Sequence, residues 1–264
     1  MTREQPGAPE SATYVYAVCR RLDPAALSGL TGLAAGFPVR TLPLGSLTAV
    51  VQHVPAAEFT EDAWQQRLSD RAELERCARA HHEVVTAAAA FGPTVPLALA
   101  TLYRGDERAQ QALGADRDRF AAALARIEGH AEWGVKVSLP ATVSESPQSA
   151  PSAPPRNGGA GRAYLERKRG LHQAREQHHD RALRTAEDID AALSRLATAT
   201  RRLRPHTQEM TGERHRLQVL NAAYLVTTVR ERELLEAVEL LRRRTGAEVE
   251  VSGPWVPYSF AGEV

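Results

Sequence analysis

The sequence predicts an α+β protein of two domains, the first a ferredoxin-like two-layer unit and the second a small sheet packed with long helices. Three observations carry that expectation. Short apolar runs that alternate with period two are interleaved with longer runs at helical spacing. Residues 140–161, PATVSESPQSAPSAPPRNGGAG, are mostly Pro, Ser, Ala and Gly with almost no large apolar side chain, so burial there cannot offset ordering entropy. The 264 residues are 43% hydrophobic and 25% charged, enough apolar material for a core on either side of such a linker. Residues 1–12 then read as a disordered N-terminus, 13–139 as the first domain, 140–161 as a flexible linker and 162–264 as the second domain.

The first domain opens with TYVYAVCR, rich in β-formers, with Val15, Ala17 and Cys19 on one face and Tyr14, Tyr16 and Val18 on the other, the pattern of a buried strand. Asp23-Pro24 suits a helix start, and a short helix runs from there into Gly29, Gly32 and Gly36. Pro43 and Gly45 read as a turn before a second strand, Leu47 to Val54. From Thr60 to Phe91 the spacing is helical, with Leu68, Ala72, Leu74, Cys77, Ala78, His81 and Val85 in one stripe. Gly92-Pro93 ends that helix. Thr94 to Tyr103 reads as one central strand with Pro96 near its start, Asp106 to Glu128 as a helix, and AEWGVKVSL as the strand closing the domain, with Trp133, Val135 and Val137 opposite Gly134, Lys136 and Ser138.

The second domain opens with a helix expected from Arg162 to about Arg204, ended by Pro205. Ala182, Ala186, Ile189, Leu193, Leu196, Thr200 and Leu203 recur at alternating spacings of four and three, a coiled-coil-like seam. That seam is either a docking face or the cover of the domain's own sheet. RLQVLNAAYLVTT follows as a strand, Glu231 to Arg244 as a helix, and AEVEVSG as a final strand.

Composition removes several functions. With 33 basic and 32 acidic side chains the formal charge is +1, which gives no electrostatic footprint for nucleic acid or an anionic membrane. The apolar runs fall short of the roughly 18 residues a membrane span requires. MTREQPGAPESAT has no apolar core of a secretory signal. Cys19 and Cys77, the two cysteines, lie in apolar patterns and read as reduced, packed thiols in a cytoplasmic protein.

Nor does the chain assemble a recognisable active site. Its glycine-rich segments lack the strand-loop-helix context and the lysine of a phosphate loop. The pairs His81-His82 and His178-His179, and His172, lack the i, i+4 spacing with which two helical histidines hold one zinc, and read as solvated helix surface. No base or helix N-terminus adjoins Cys19 to make it a nucleophile. Arg242, Arg243 and Arg244 fall in a helix's last turn, where they complement its dipole. Catalytic, cofactor and metal residues are therefore read as none.

One feature stands out against this plain background. GPWVPYSF places Trp255, Tyr258 and Phe260 within six residues, in a chain with only 3 Trp, 6 Tyr and 5 Phe. Pro254 and Pro257 limit the entropy lost on docking such a tail. Two readings are open: Pro254, Trp255, Tyr258 and Phe260 form a structural staple, or they form a contact for an apolar partner segment.

That tail closely resembles the Gly-Pro-Trp-Pro-Pro-Tyr-Ser-Phe signature of the gas vesicle protein F/L family (GvpF/GvpL). The likeness continues through the opening Tyr-Val-Tyr-Ala-Val strand, PTVPLALATLYRGDE at the place of a Leu-Pro-Val-Arg-Phe-Gly-Thr-Val strand, EWGVKV, AYLERKR and LNAAYLV, in family order. Val256 replaces a proline of the signature, and Ala98 and Ala100 stand where Arg and Gly are expected. The resemblance implies a non-enzymatic accessory or minor structural protein of gas vesicle assembly. It would bind the shell protein GvpA and other accessory proteins during nucleation and limit aggregation, in the cytoplasm and at the vesicle, its gas-facing surface included. A small-ligand-binding regulatory module built on paired α+β domains is the alternative.

Overall fold

The computed structural model describes residues 11–140, 160–204 and 216–261. The expectations for the first ten residues, for most of the 140–161 segment and for Pro205 lie outside them. The chain divides into two units, one of residues 1–132 with 254–264 and the other of residues 133–253.

In the first unit, β1 (Ser11–Cys19), β2 (Val39–Leu44), β3 (Leu47–Pro55) and β4 (Thr94–Pro96) form a sheet in the order β2-β3-β1-β4, with β5 (Leu102–Tyr103) also on β1. Strand β1 pairs antiparallel with β3, β4 and β5, and β2 pairs antiparallel with β3. Strand β2 is absent from the sequence expectation, because its Pro43 reads as a turn. It lies on the sheet edge, where a missing N–H breaks no ladder bond. Leu44 pairs with Leu47 around Gly45, whose φ of 69° supplies the left-handed residue of a two-residue hairpin.

The crossover from β1 to β2 contains only the 3-10 turn Pro24–Leu27, capped by Asp23 Oδ1 accepting from Ala25 N. Glycine-rich sequence follows, and its backbone is fixed from within. Gln52 Oε1 accepts from Leu33 N and Ala34 N while Nε2 donates to the carbonyls of Thr31, Ala34 and Phe37. Gln52 is fully buried, so this loop satisfies its amide in place of water.

The long helix expected from Thr60 is two helices, α1 (Glu61–Ser69) and α2 (Arg71–Ala89). Asp70 stops the first and caps the second, its Oδ1 accepting from Ala72 N and Glu73 N. The expected helix at 106–128 likewise divides into α3 (Asp106–Ala115) and α4 (Arg117–Ile127).

Helices cover both faces of this sheet, whereas a two-layer unit would cover one. Val84, Val85 and Ala88 of α2 join the core cluster containing Tyr14 and Tyr16. On the opposite face, Thr13 Oγ1 donates to Asp106 at the start of α3. Tyr14 to Val18 are accordingly 0% exposed.

The expected strand at 94–103 is broken in the middle. Thr101 donates to the Ala98 carbonyl through both its N–H and its hydroxyl, forming a turn between β4 and β5. Within it Ala100 has φ 73°, the one positive-φ residue other than glycine among the described residues.

The second unit is built on β6 (His130–Pro140), α5 (Ala160–Ser194), β7 (Ala199–Arg202), β8 (Arg216–Thr227), α6 (Glu231–Thr245) and β9 (Glu248–Trp255). Its sheet has the order β7-β8-β6-β9, four strands where the sequence suggests two. Strand β6, expected to close the first sheet, pairs in this one. Gly134 lies against Ser252 and Lys136 Nζ is 3.8 Å from Glu250, so β6 and β9 run in opposite senses. Backbone pairing, which composition does not report, thus moves the unit boundary to 132/133, before the Pro- and Ser-rich segment.

Helix α5 ends at Ser194. Thr200 falls in β7, and Leu203 N donates to the Asn221 carbonyl, so the last seam residues belong to the sheet layer. Ala182, Ala186, Ile189 and Leu193 are at most 5% exposed and face β8 and α6 of their own unit. Tyr224 of β8 donates to Asp190 of α5 at 2.7 Å, fixing their register. Gly246, with φ 65°, ends α6 by donating to the Arg242 carbonyl.

Candidate functional site

The C-terminal residues 254–261 belong to the first unit, and each anchor can be traced. The chain stays extended through Trp255 in β9, then turns into α7 (Tyr258–Ala261). The two prolines do not keep the whole tail extended. Pro257 immediately precedes the helical turn, its carbonyl accepting from Phe260 N and Ala261 N.

Ser259 is the central polar anchor: its N–H donates to Glu132 Oε2 at 2.7 Å and its hydroxyl to Oε1 at 2.6 Å. Arg126 of α4 donates to the Phe260 carbonyl at 2.6 Å. On the α2 side, His82 Nδ1 and the Tyr258 hydroxyl are 3.3 Å apart. The His82 ring lies 5.7 Å from that of Trp255 and 5.8 Å from that of Tyr258. Helix α7 also contacts β4, the last strand in the sheet order. The tail is therefore a strap packed against β4 and held by α2, α4 and the start of β6.

The four residues singled out in the sequence do not share one environment. Phe260 is 8% exposed and Ala261 1%. Tyr258 is half-buried, packing with Val256 against the Tyr14 cluster, and burial raises its phenol pKa. Pro254 is exposed, and Trp255 keeps 46% of its surface in solvent. One end of the strap is a staple, and the other presents an indole outward.

Arg126, Glu132 and His82 receive the strap and were not singled out in the sequence. Strand parity places Glu132 on the polar face with Gly134 and Lys136, yet it is only 8% exposed. No periodicity reveals this, because the cover arrives from 127 residues away. The adjacent histidines also depart from the solvated-surface expectation. His81 is 4% exposed, and its Nδ1 lies 2.8 Å from the Tyr14 hydroxyl. Burial pushes the His81 pKa down to about 4, against a smaller opposing pull from the Leu97 backbone. The ring and the Tyr14 hydroxyl share this hydrogen bond, and the Tyr14 oxygen also accepts from Ala100 N.

A second polar group lies on the opposite sheet face. Asp106 accepts from Arg40 at 2.7 Å and Thr13 at 2.8 Å, with His53 Nε2 at 3.1 Å. Burial opposes its ionisation, but hydrogen bonds from Arg40, Thr13 and His53 together hold its pKa below the usual carboxylate value. This group ties α3 to β1, β2 and β3. Cys19 is buried, and burial pushes its thiol up to about 11, the opposite of what a nucleophile requires. Among the described residues no helix is long and apolar enough to cross a membrane.

Comparison with known proteins gives a consistent result. The family model for "Gas vesicle synthesis protein GvpL/GvpF" matches residues 12–262. Gas vesicle protein L of Streptomyces sp. (strain CB03234) is 38% identical over 249 residues, covering 94% of this chain and 92% of the relative. Gas vesicle protein L1 of Halobacterium salinarum is 24% identical over 238 residues, covering 86% and 82%. The crystal structure of gas vesicle protein GvpF from Anabaena sp. PCC7120 superposes with a TM-score of 0.65 at 17% identity, covering 95% of this chain and 96% of that one. GvpF from Microcystis aeruginosa gives 0.64 at 18% identity, covering 95% and 98%. At these identities the two structures establish likeness of fold.

Proposed function

The chain belongs to the GvpL/GvpF family of gas vesicle synthesis proteins, and from that premise we propose that it is a non-enzymatic assembly factor whose strap carries a partner contact. The partners in this reading are the shell protein GvpA and other gas vesicle accessory proteins. It meets them during nucleation and keeps apolar subunits from aggregating. The observation that carries the proposal is the division within the strap: Phe260 is 8% exposed, whereas Trp255 is 46% exposed. An indole held at low entropic cost on an anchored backbone suits recognition of an apolar segment.

The test is co-expression of the tagged chain with GvpA and with each accessory protein, followed by pull-down from soluble extract. Wild type is expected to recover at least one of them. Trp255→Ala is expected to lose that recovery while unfolding cooperatively near the wild-type temperature. If folded wild type recovers none, the assembly role is wrong. If Trp255→Ala recovers as much as wild type, the contact lies elsewhere.

A further inference from the structure

We propose that the N-terminal half of α5 is a docking arm for an acidic segment of a partner protein, an inference that rests on the assembly role proposed above. From Leu165 to Arg181 every described side chain is exposed except His178, which is half-buried with Nε2 2.9 Å from the Pro140 carbonyl. Burial in the unit's own core begins only at Ala182. This exposed portion runs about 25 Å as helix. Helices without packing are marginal in water at such lengths, and Gly170 weakens this one by about 1 kcal/mol. A partner surface would supply the missing stabilisation.

Charge identifies the chemistry of that partner. Residues 165–184 contain six Arg or Lys, three Asp or Glu and three His, while the whole chain carries only +1. Among the described residues Lys168, Arg169, Arg181 and Arg184 pair with no carboxylate, whereas Glu176 lies 3.3 Å from His172. Continued toward the N-terminus, the buried seam spacing falls on Lys168, His172 and His179 rather than apolar residues. A second copy packed along that line would set like charges together. An acidic segment, whose carboxylates can bond Arg in bidentate fashion, fits in both charge and geometry.

The test uses the full chain and a fluorescent, Glu-rich peptide followed by anisotropy, with a single-stranded oligonucleotide of equal charge as comparator. The variant combines Lys168→Glu, Arg169→Glu, Arg181→Glu and Arg184→Glu. Wild type should bind the peptide more tightly than the oligonucleotide, and binding should weaken about tenfold as salt rises from about 0.05 to 0.3 M. The charge-reversed chain should bind at least about tenfold more weakly with little change in thermal unfolding, since among the described residues the charged ends of these side chains form no ion pair. Equal peptide binding by the two chains, no binding by wild type at low salt, or tighter binding of the oligonucleotide overturns the inference. In the pull-down, full recovery of vesicle proteins by the reversed variant defeats the arm and spares the assembly role. Failure of wild type defeats that role, and the peptide titration still decides the arm.

Discussion

Ser259 satisfies both carboxylate oxygens of Glu132, at 2.7 and 2.6 Å, across 127 residues of sequence. This pair turns the C-terminal octet into part of the first unit. Glu132→Ala should leave the Ser259 N–H and hydroxyl without their acceptor, costing about 1–3 kcal/mol. Urea unfolding reads that loss, and hydrogen exchange should locate the increased opening at the strap.

Strap residues should separate by burial. Phe260→Ala removes a buried ring and should cost about 3 kcal/mol, whereas Trp255→Ala should stay within about 1 kcal/mol because nearly half of its surface is already in water. Equal losses in thermal denaturation would make Trp255 a core anchor and remove the basis for its role in recognition.

The left-handed backbone at Ala100 makes a prediction of unusual sign. With φ 73° a Cβ is strained there, so Ala100→Gly should stabilise by up to about 1 kcal/mol after the extra freedom of the unfolded glycine is counted. Gly32→Ala should do the reverse. Its added Cβ would meet Tyr16 Oη at 2.5 Å and Gln52 Oε1 at 2.6 Å, costing about 2 kcal/mol or more.

His81 makes stability depend on mild acid. Its folded pKa of about 4 lies below the ordinary histidine value of 6.5, so the unfolded chain binds the extra proton. Its stabilising contribution is complete above about pH 6.5 and declines as pH falls toward 4, by about 3 kcal/mol at most. In His81→Asn the amide oxygen can still accept from Tyr14 without titrating. That variant should show a flatter stability profile between pH 6.5 and 4, measured by urea unfolding across the range; an unchanged slope would assign the dependence to other groups.

Much of the secondary structure could be read from pattern alone. Strand β1, strand β8 and helix α6 announce themselves by continuous apolar character or clear period, since their burial is a property of consecutive residues. The breaks were harder to see. Asp70 divides α1 from α2 by capping, a choice between two backbone paths that an apolar stripe spans without interruption. Strand β2 was hidden by Pro43, whose acceptability depends on having no neighbour on one side. The turn at Ala98 to Thr101 was hidden because alanine normally avoids the conformation that Ala100 adopts.

The candidate site shows the same division. Sequence alone marked Trp255, Tyr258 and Phe260 as a group, because aromatic density and flanking prolines are local properties, and the same octet carried the family resemblance. Only the tertiary structure decided that Phe260 is anchored while Trp255 faces solvent, and that Glu132, Arg126 and His82 hold the strap. It also assigned β6 to the second sheet and the Ala182 to Leu193 seam to its own unit's core. The physical reason is that periodicity records which side of an element is apolar, whereas the identity of what covers that side depends on contacts between residues far apart in the chain.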